Sequence, residues 1–415
     1  MIENLVKTFG CRLNIYESEI IKQNLHNAQL DNTIVFNTCA VTKQAEKDAV
    51  KAIRKAKRDN PDSKILVTGC AAQSSPEIFA AMPEVDKVIG NEEKLHSEYY
   101  NFDTDRVIVN DIMSVKESSY HLLQDFEFKS RAFIQVQNGC DHRCTFCNIP
   151  YARGNNRSVP IGVIAKQLNI LTQTGYNEVV FTGVDVTAYG ADLPGNPTLA
   201  QMIKRILSQV PNLSRLRLSS IDVAEIDDEL FELMAYETRL MPHFHISLQS
   251  GDNMILKRMK RRHNRENVIE FCRKLRSIRP EVAFGADIIA GFPTETEAMF
   301  ENTKHLIAQA DLQYLHIFPY SARDGTPASR MPQLPNDEVK MRAKILRDTG
   351  QEQLLQFFNN NINNRVELLV ENNQIAHSEN FIPVKFSESM KVGSLIKAQL
   401  TGIQGANMTA NIITA

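Results

Sequence analysis

Three cysteines stand within eight residues of this 415-residue chain, in the segment Gln137-Asn138-Gly139-Cys140-Asp141-His142-Arg143-Cys144-Thr145-Phe146-Cys147-Asn148-Ile149-Pro150. Thiolates this close together can close on one metal centre. Cysteine thiolates are the usual ligands of iron–sulfur clusters, whereas structural zinc normally takes four protein ligands in a closed tetrahedron. No fourth cysteine lies nearby, and His142 is the donor that a zinc loop would have to recruit. Three thiolates on a [4Fe–4S] cube leave one iron open for a small molecule.

A second set of three is spread out. Cys11, Cys39 and Cys70 each follow an apolar run that reads as a strand, at residues 5–9, 33–37 and 64–68. Parallel strands that each end in a cysteine turn those side chains to one edge of a sheet, the carboxyl edge where ligands gather. The seventh cysteine, Cys272, lies in the helical stretch 267–278 and reads as a core residue. The start of the chain lacks a secretory pattern, and no apolar run is long enough to cross a membrane. A cytoplasmic location follows, where thiols stay reduced and metal binding is a better account of cysteine than disulfides. The net charge is only −2, so any contact with nucleic acid must come from a local patch.

The elements that position these residues fall into three sections. Residues 1–126 alternate strands (5–9, 33–37, 64–68, 85–89) with helical stretches such as 45–58, which implies a small parallel α/β sheet. A second alternation occupies residues 131–360. Its six strands at 132–137, 178–182, 215–219, 243–248, 283–289 and 314–318 are two units short of a closed barrel and imply a partial (β/α)6 barrel with its site at the strands' carboxyl ends. A connector with Pro327, Pro332 and Pro335 and a helix over 336–360 complete that section. The stretch 365–415 holds five short apolar runs separated by Gly and Asn, the spacing of a small all-β barrel. The fold class is therefore α/β, with an all-β C-terminal addition.

The central loop, Phe146 included, resembles the cluster motif of the radical S-adenosylmethionine superfamily. That resemblance implies a [4Fe–4S] cluster on Cys140, Cys144 and Cys147 whose open iron binds S-adenosylmethionine and whose electron releases a 5′-deoxyadenosyl radical. Further S-adenosylmethionine contacts are implied at Gly183 in Phe181-Thr182-Gly183-Val184-Asp185 and at Ser219 and Ser220 in Leu216-Arg217-Leu218-Ser219-Ser220. Asp287-Ile288-Ile289-Ala290-Gly291-Phe292-Pro293 resembles the adenine-side strand.

Cys11-Arg12-Leu13-Asn14, Asn37-Thr38-Cys39-Ala40-Val41-Thr42 and Gly69-Cys70-Ala71-Ala72-Gln73 resemble the N-terminal domain of the methylthiotransferases. In that family these cysteines hold a second [4Fe–4S] cluster that handles the inserted sulfur. Tyr151-Ala152-Arg153-Gly154, Ser247-Leu248-Gln249-Ser250-Gly251 and Phe318-Pro319-Tyr320-Ser321 extend the resemblance over nearly the whole chain. The residues around Cys39 and after Phe318 are most similar to the branch that acts on threonylcarbamoyladenosine in tRNA. The other branches act on isopentenyladenosine in tRNA or on an aspartate of a ribosomal protein. A non-catalytic, metal-stabilised RNA-binding protein is the alternative of another class.

The implied target is the C2–H of a modified adenine beside the anticodon. General acid–base catalysis cannot readily activate that carbon, so a radical route suits it. No catalytic residue stands out beyond the cysteines. The implied partners are the tRNA anticodon stem-loop, an external electron donor and a sulfur source, with no membrane. The 365–415 stretch resembles the RNA-binding TRAM barrel but is not basic. The basic runs at 51–58 and 257–265 are the candidate phosphate contacts, the second more so because it is denser.

Overall fold

The computed structural model describes residues 4–117, 119–126 and 130–413. Five parallel strands, β1 (Leu5–Thr8), β2 (Thr33–Thr38), β3 (Lys64–Gly69), β4 (Lys87–Ile89) and β5 (Val107–Ile108), form the first sheet in that order. Alternation along β2 sends Ile34 and Phe36 into one core with Ile53 and Ala56 of the helix Lys43–Asp59. Val35 points the other way, onto Ile21 and Leu25 of the helix Arg12–Asn27. The strand β5 is two residues long and left no pattern in the sequence.

The helix Arg12–Asn27 is buried on two faces. Ile21 and Leu25 cover the first sheet, while Tyr16 and Ile20 enter the core of the next section beside Ile134 and Val136. It is the wall shared by the two α/β units.

All six expected central strands form. They are β6 (Ala132–Gln135), β9 (Glu178–Thr182), β10 (Arg215–Leu218), β11 (His243–Gln249), β12 (Ala283–Ala290) and β13 (Tyr314–Pro319). Parallel pairing joins β6, β9 and β10, and likewise β11, β12 and β13; the bridges Leu216–Leu240 and Ile221–Ile246 connect the two halves. The result is an open, six-stranded partial barrel. The expected strand 132–137 divides: its last residues belong to β7 (Gln137–Asn138), which pairs antiparallel with β8 (Arg157–Ser158). Phe244, Ile246 and Leu248 of β11 face the helices, whereas His243 and His245 face the polar interior.

The helix Asn336–Asn360 leads to a closed barrel of β14 (Arg365–Val370), β15 (Ile375–His377), β16 (Pro383–Lys385), β18 (Asn407–Ile412) and β17 (Leu395–Gln404). This barrel docks on the amino ends of the central strands, away from the cysteine loop. Arg215 donates to the Glu367 carbonyl at 2.7 Å, Arg217 donates to the Glu379 carbonyl at 2.8 Å, and Phe381 stacks on His243 at 4.9 Å. Glu178, buried at the start of β9, neutralises part of this arginine cluster through a 2.8 Å contact with Arg217.

Candidate metal centre

Cys11 caps the helix Arg12–Asn27, Cys39 directly follows β2, and Cys70 directly follows β3. Because β1, β2 and β3 are neighbours in one parallel sheet, their carboxyl ends bring the three thiols to one edge. The approach is close: a side chain at Gly10 would put its first carbon 2.7 Å from the Cys39 sulfur. Gly69, at φ +96°, would collide with the Thr38 backbone at 2.3 Å if it carried one, so this turn into Cys70 demands glycine. Burial, with Cys70 and Cys11 adding to it, pushes the Cys39 thiol up to about 11.

The β7–β8 pair clamps the two ends of the central loop. Gly139, at φ +71°, would put an added Cβ 1.9 Å from the Asn155 carbonyl oxygen, again directly ahead of a cysteine. The Cys147 N–H donates to the Cys144 carbonyl at 3.1 Å, and the His142 N–H donates to the Cys140 sulfur at 3.4 Å. Arg261 points Nη1 at the Cys144 sulfur, 3.7 Å away. Burial pushes the Cys147 thiol up to about 11, with Cys144 adding to the effect. His142 contacts Asp185 at 3.0 Å and Glu225 at 3.5 Å, and these carboxylates raise it to about 10.

A cavity of about 220 Å³ is lined by Cys147 of the central loop and by residues just past Cys39. Phe146, Cys147, Asn148 and Ile149 line one wall; Val41 and Thr42, just past Cys39, line another; Gln249, Asp287 and Ile289 lie on the barrel side. Ser219 ends up buried at the carboxyl end of β10 with its hydroxyl lacking a partner among the described residues, and Ser220 is half-buried beside it. Gly183 admits a close neighbour, but that neighbour is Gln137, whose side-chain oxygen would lie 2.6 Å from an added Cβ. Both triplets suit an iron–sulfur cluster: each offers three soft thiol donors, and each has an arginine against a sulfur.

Several charged residues of the site gave no sign in the sequence of the partners they meet. Arg153 of the central section reaches the Cys70 sulfur at 3.1 Å and grips Glu17 through contacts of 2.8 and 2.9 Å. Lys94 closes the other side of Glu17 at 2.7 Å. Burial alone would raise Glu17, yet Arg153 and Lys94 hold it at about 2. Arg12, one turn before Tyr16 on the helix face that enters the central core, lies within electrostatic reach of Asp287 and Glu178. Among the described residues its guanidinium forms no hydrogen bond or ion pair. Charged residues that recur in motifs say nothing of their partners when those partners are remote in sequence.

The basic run 257–265 is partly committed to contacts within the fold. Arg258 is spent on Thr294, Arg261 on Asp222 and the Ser247 carbonyl, Arg262 on Glu225, and His263 is buried. Arg261 and Arg262 brace the cysteine loop, while Lys257, Lys260 and Arg262 stay exposed. The helix Lys43–Asp59, by contrast, exposes Lys43, Lys47, Lys51, Arg54 and Lys55 and begins at the cavity wall.

The Radical SAM superfamily model matches residues 134–307, and the model of Uncharacterized protein family UPF0004 matches residues 4–90. The threonylcarbamoyladenosine tRNA methylthiotransferase MtaB of Rickettsia prowazekii is 66% identical over 98% of this chain and 97% of its own length. The enzyme of the same description from Aquifex aeolicus is 36% identical over 94% of the chain and 98% of its own length. The tRNA-2-methylthio-N(6)-dimethylallyladenosine synthase of Ehrlichia chaffeensis is 32% identical over 88% of the chain and 87% of its own length. Among solved structures, the radical S-adenosylmethionine methyltransferase TsrM of Kitasatospora setae shares the fold, with a TM-score of 0.59 at 15% identity over 79% of this chain and 75% of that one. With its S-adenosylmethionine and [4Fe–4S] chemistry set by that superfamily, the chain belongs to the radical S-adenosylmethionine tRNA methylthiotransferases.

Proposed function

We propose that this enzyme adds a methylthio group to C2 of N6-threonylcarbamoyladenosine beside the anticodon of tRNA, in the cytoplasm, with two [4Fe–4S] clusters. Cys140, Cys144 and Cys147 hold one cluster, and Cys11, Cys39 and Cys70 hold the other. The observation that carries this reading is the single cavity bounded by Cys147 on one wall and by the Val41–Thr42 segment next to Cys39 on another. The clusters and S-adenosylmethionine, when bound, supply the radical that removes the C2 hydrogen and the sulfur that replaces it.

The chain's own residues position and shield. Phe146 and Ile289 give the cavity an apolar wall that excludes water from a reactive radical. The Ser219 hydroxyl, unpartnered among the described residues, with Ser220 beside it, suits a polar atom of S-adenosylmethionine; Gly183 contributes by letting the loop pack on Gln137. Arg12 favours the threonylcarbamoyl substrate over the isopentenyl one. The threonylcarbamoyl group carries a carboxylate and the isopentenyl group does not, and a guanidinium without a partner among the described residues suits an anion. The exposed cations of the helix Lys43–Asp59 lead away from the cavity and suit the phosphates of an anticodon stem-loop. An external reductant and a sulfur source complete the cycle.

Nucleoside mass spectrometry of tRNA from cells lacking this protein tests the assignment. Loss of the 2-methylthio mark from threonylcarbamoyladenosine is expected. Loss from the isopentenyl nucleoside alone would move the enzyme to the other branch.

A further inference from the structure

We infer that Arg153 acts on the first cysteine triplet: it holds the Cys70 sulfur by a charge-assisted hydrogen bond, raises the reduction potential of the cluster bound there, and ties that cluster to the central loop. The inference rests on the reading that Cys11, Cys39 and Cys70 hold a cluster.

Arg153 ends the short helix Ile149–Arg153, which begins just past Cys147. A guanidinium has five N–H donors in a fixed plane, and here every one has an acceptor. Nε donates to the Cys70 sulfur at 3.1 Å. Nη1 donates to Glu17 at 2.8 Å and to the Asn138 side-chain oxygen at 3.2 Å. Nη2 donates to Glu17 at 2.9 Å and to the Asn14 side-chain oxygen at 2.5 Å. The group is buried, so its orientation is set by these partners and not by water.

A charge count explains why the sulfur belongs in this network. Arg153 and Lys94 bring two positive charges against the single negative charge of Glu17, and all three side chains are buried. One positive charge is left over. A cysteinate at Cys70, as a metal ligand must be, offsets positive charge in this buried network, which favours the pairing at low dielectric. Asn91 adds a second donor toward the same sulfur at 3.8 Å. Hydrogen bonds and positive charge at ligand sulfurs stabilise the reduced, more negative state of a cluster and so raise its potential.

The same side chain also reaches the other triplet. Asn138, which accepts from Arg153, accepts from the Gly139 N–H at 2.9 Å, and Gly139 is bonded to Cys140. The path runs from the Cys70 sulfur through Arg153, Asn138 and Gly139 to Cys140. Arg153 is thus a positioning residue between two metal sites that lie in different sections of the chain.

The test uses the full chain with Cys140, Cys144 and Cys147 changed to alanine, reconstituted anaerobically with iron and sulfide, so that only the first triplet contributes. Potentiometric titration followed by electron paramagnetic resonance compares this parent with the same protein carrying Arg153→Lys or Arg153→Gln. Glutamine is expected to lower the equilibrium constant for reduction by about tenfold or more, which is about 59 mV for a one-electron couple. Lysine keeps the charge without the five-donor plane and is expected to fall between. A potential unchanged within about threefold in a glutamine variant that holds as much iron as the parent overturns the inference. If glutamine holds no iron, the lysine variant decides by the same criterion. If neither holds iron, an apo-protein melting temperature equal to the parent's supports a direct role at the sulfur, and a lowered one assigns Arg153 to the fold alone and overturns it. A parent that takes up no iron would instead sink the two-cluster reading on which the inference stands.

Discussion

Cys140, Cys144 and Cys147 come from one loop whose ends are pinned by the β7–β8 pair, whereas Cys11, Cys39 and Cys70 come from the ends of three separate strands. The loop needs only local closure, whose entropic cost is small for so few residues. The strand-end set exists only when β1, β2 and β3 have paired in register, because a one-residue slip would turn its members to the other face. The two regions nevertheless share a device. In both, a glycine at positive φ directly precedes a cysteine: Gly69 before Cys70 and Gly139 before Cys140. Both also place an arginine from elsewhere against a sulfur, Arg153 in the first and Arg261 in the second. Convergence on these two features in unlike frameworks says what a cysteine triplet requires here: a tight backbone turn and a compensating positive charge.

The largest effect that can separate the two regions comes from removing one ligand of each. Cys144→Ala and Cys39→Ala are both expected to abolish methylthiolation of tRNA completely, and each to lose about half of the iron. Only Cys144→Ala is expected to abolish cleavage of S-adenosylmethionine, read as 5′-deoxyadenosine by chromatography. Equal loss of cleavage in the two variants would break the division of labour drawn between them.

A smaller effect is expected from the glycines. Gly69→Ala places a Cβ 2.3 Å from the Thr38 carbonyl oxygen and adds backbone strain of roughly 1–3 kcal/mol. Iron counts should show a deficit at the first triplet with the central loop still loaded, and Gly139→Ala should show the converse. A deficit shared equally by both triplets would mean that the sheet and the loop form as one unit.

The smallest effect is expected at Cys272. It is fully buried within the central core, remote from both sets. Cys272→Ala should cost about 1 kcal/mol in thermal unfolding and leave iron content and activity unchanged. Loss of iron in this variant would reassign the seventh cysteine.

The six central strands were legible because parallel strands buried on both faces read as short apolar runs. The first four strands of the N-terminal sheet and the trailing helix were legible on similar grounds. β5 was not, since two residues carry no period. A helical stretch between the first two strands was expected, but the burial of Arg12–Asn27 on two sides was hidden, because it buries Asn14, Glu17, Ser18 and Asn24 along with its apolar residues. Contact on two sides erases the polar face that marks a surface helix. The use of the run 257–265 was hidden for a related reason: charge density in sequence does not reveal which arginines meet solvent and which meet carboxylates such as Asp222 and Glu225.

Residue type and spacing alone determined that there are two triplets of cysteines, that each sits after a strand, and that the chain has an α/β front, a partial barrel and a β-barrel tail. Those are local properties, written in hydrophobic period and in turn chemistry. The tertiary structure alone decided that Arg153 reaches back to Cys70, that Arg12 faces the central barrel, and that the C-terminal barrel seals the strands' amino ends through Arg215 and Arg217. Each of these joins residues far apart in the chain, and a buried charge takes its partner from whatever folding brings near, which no local pattern encodes.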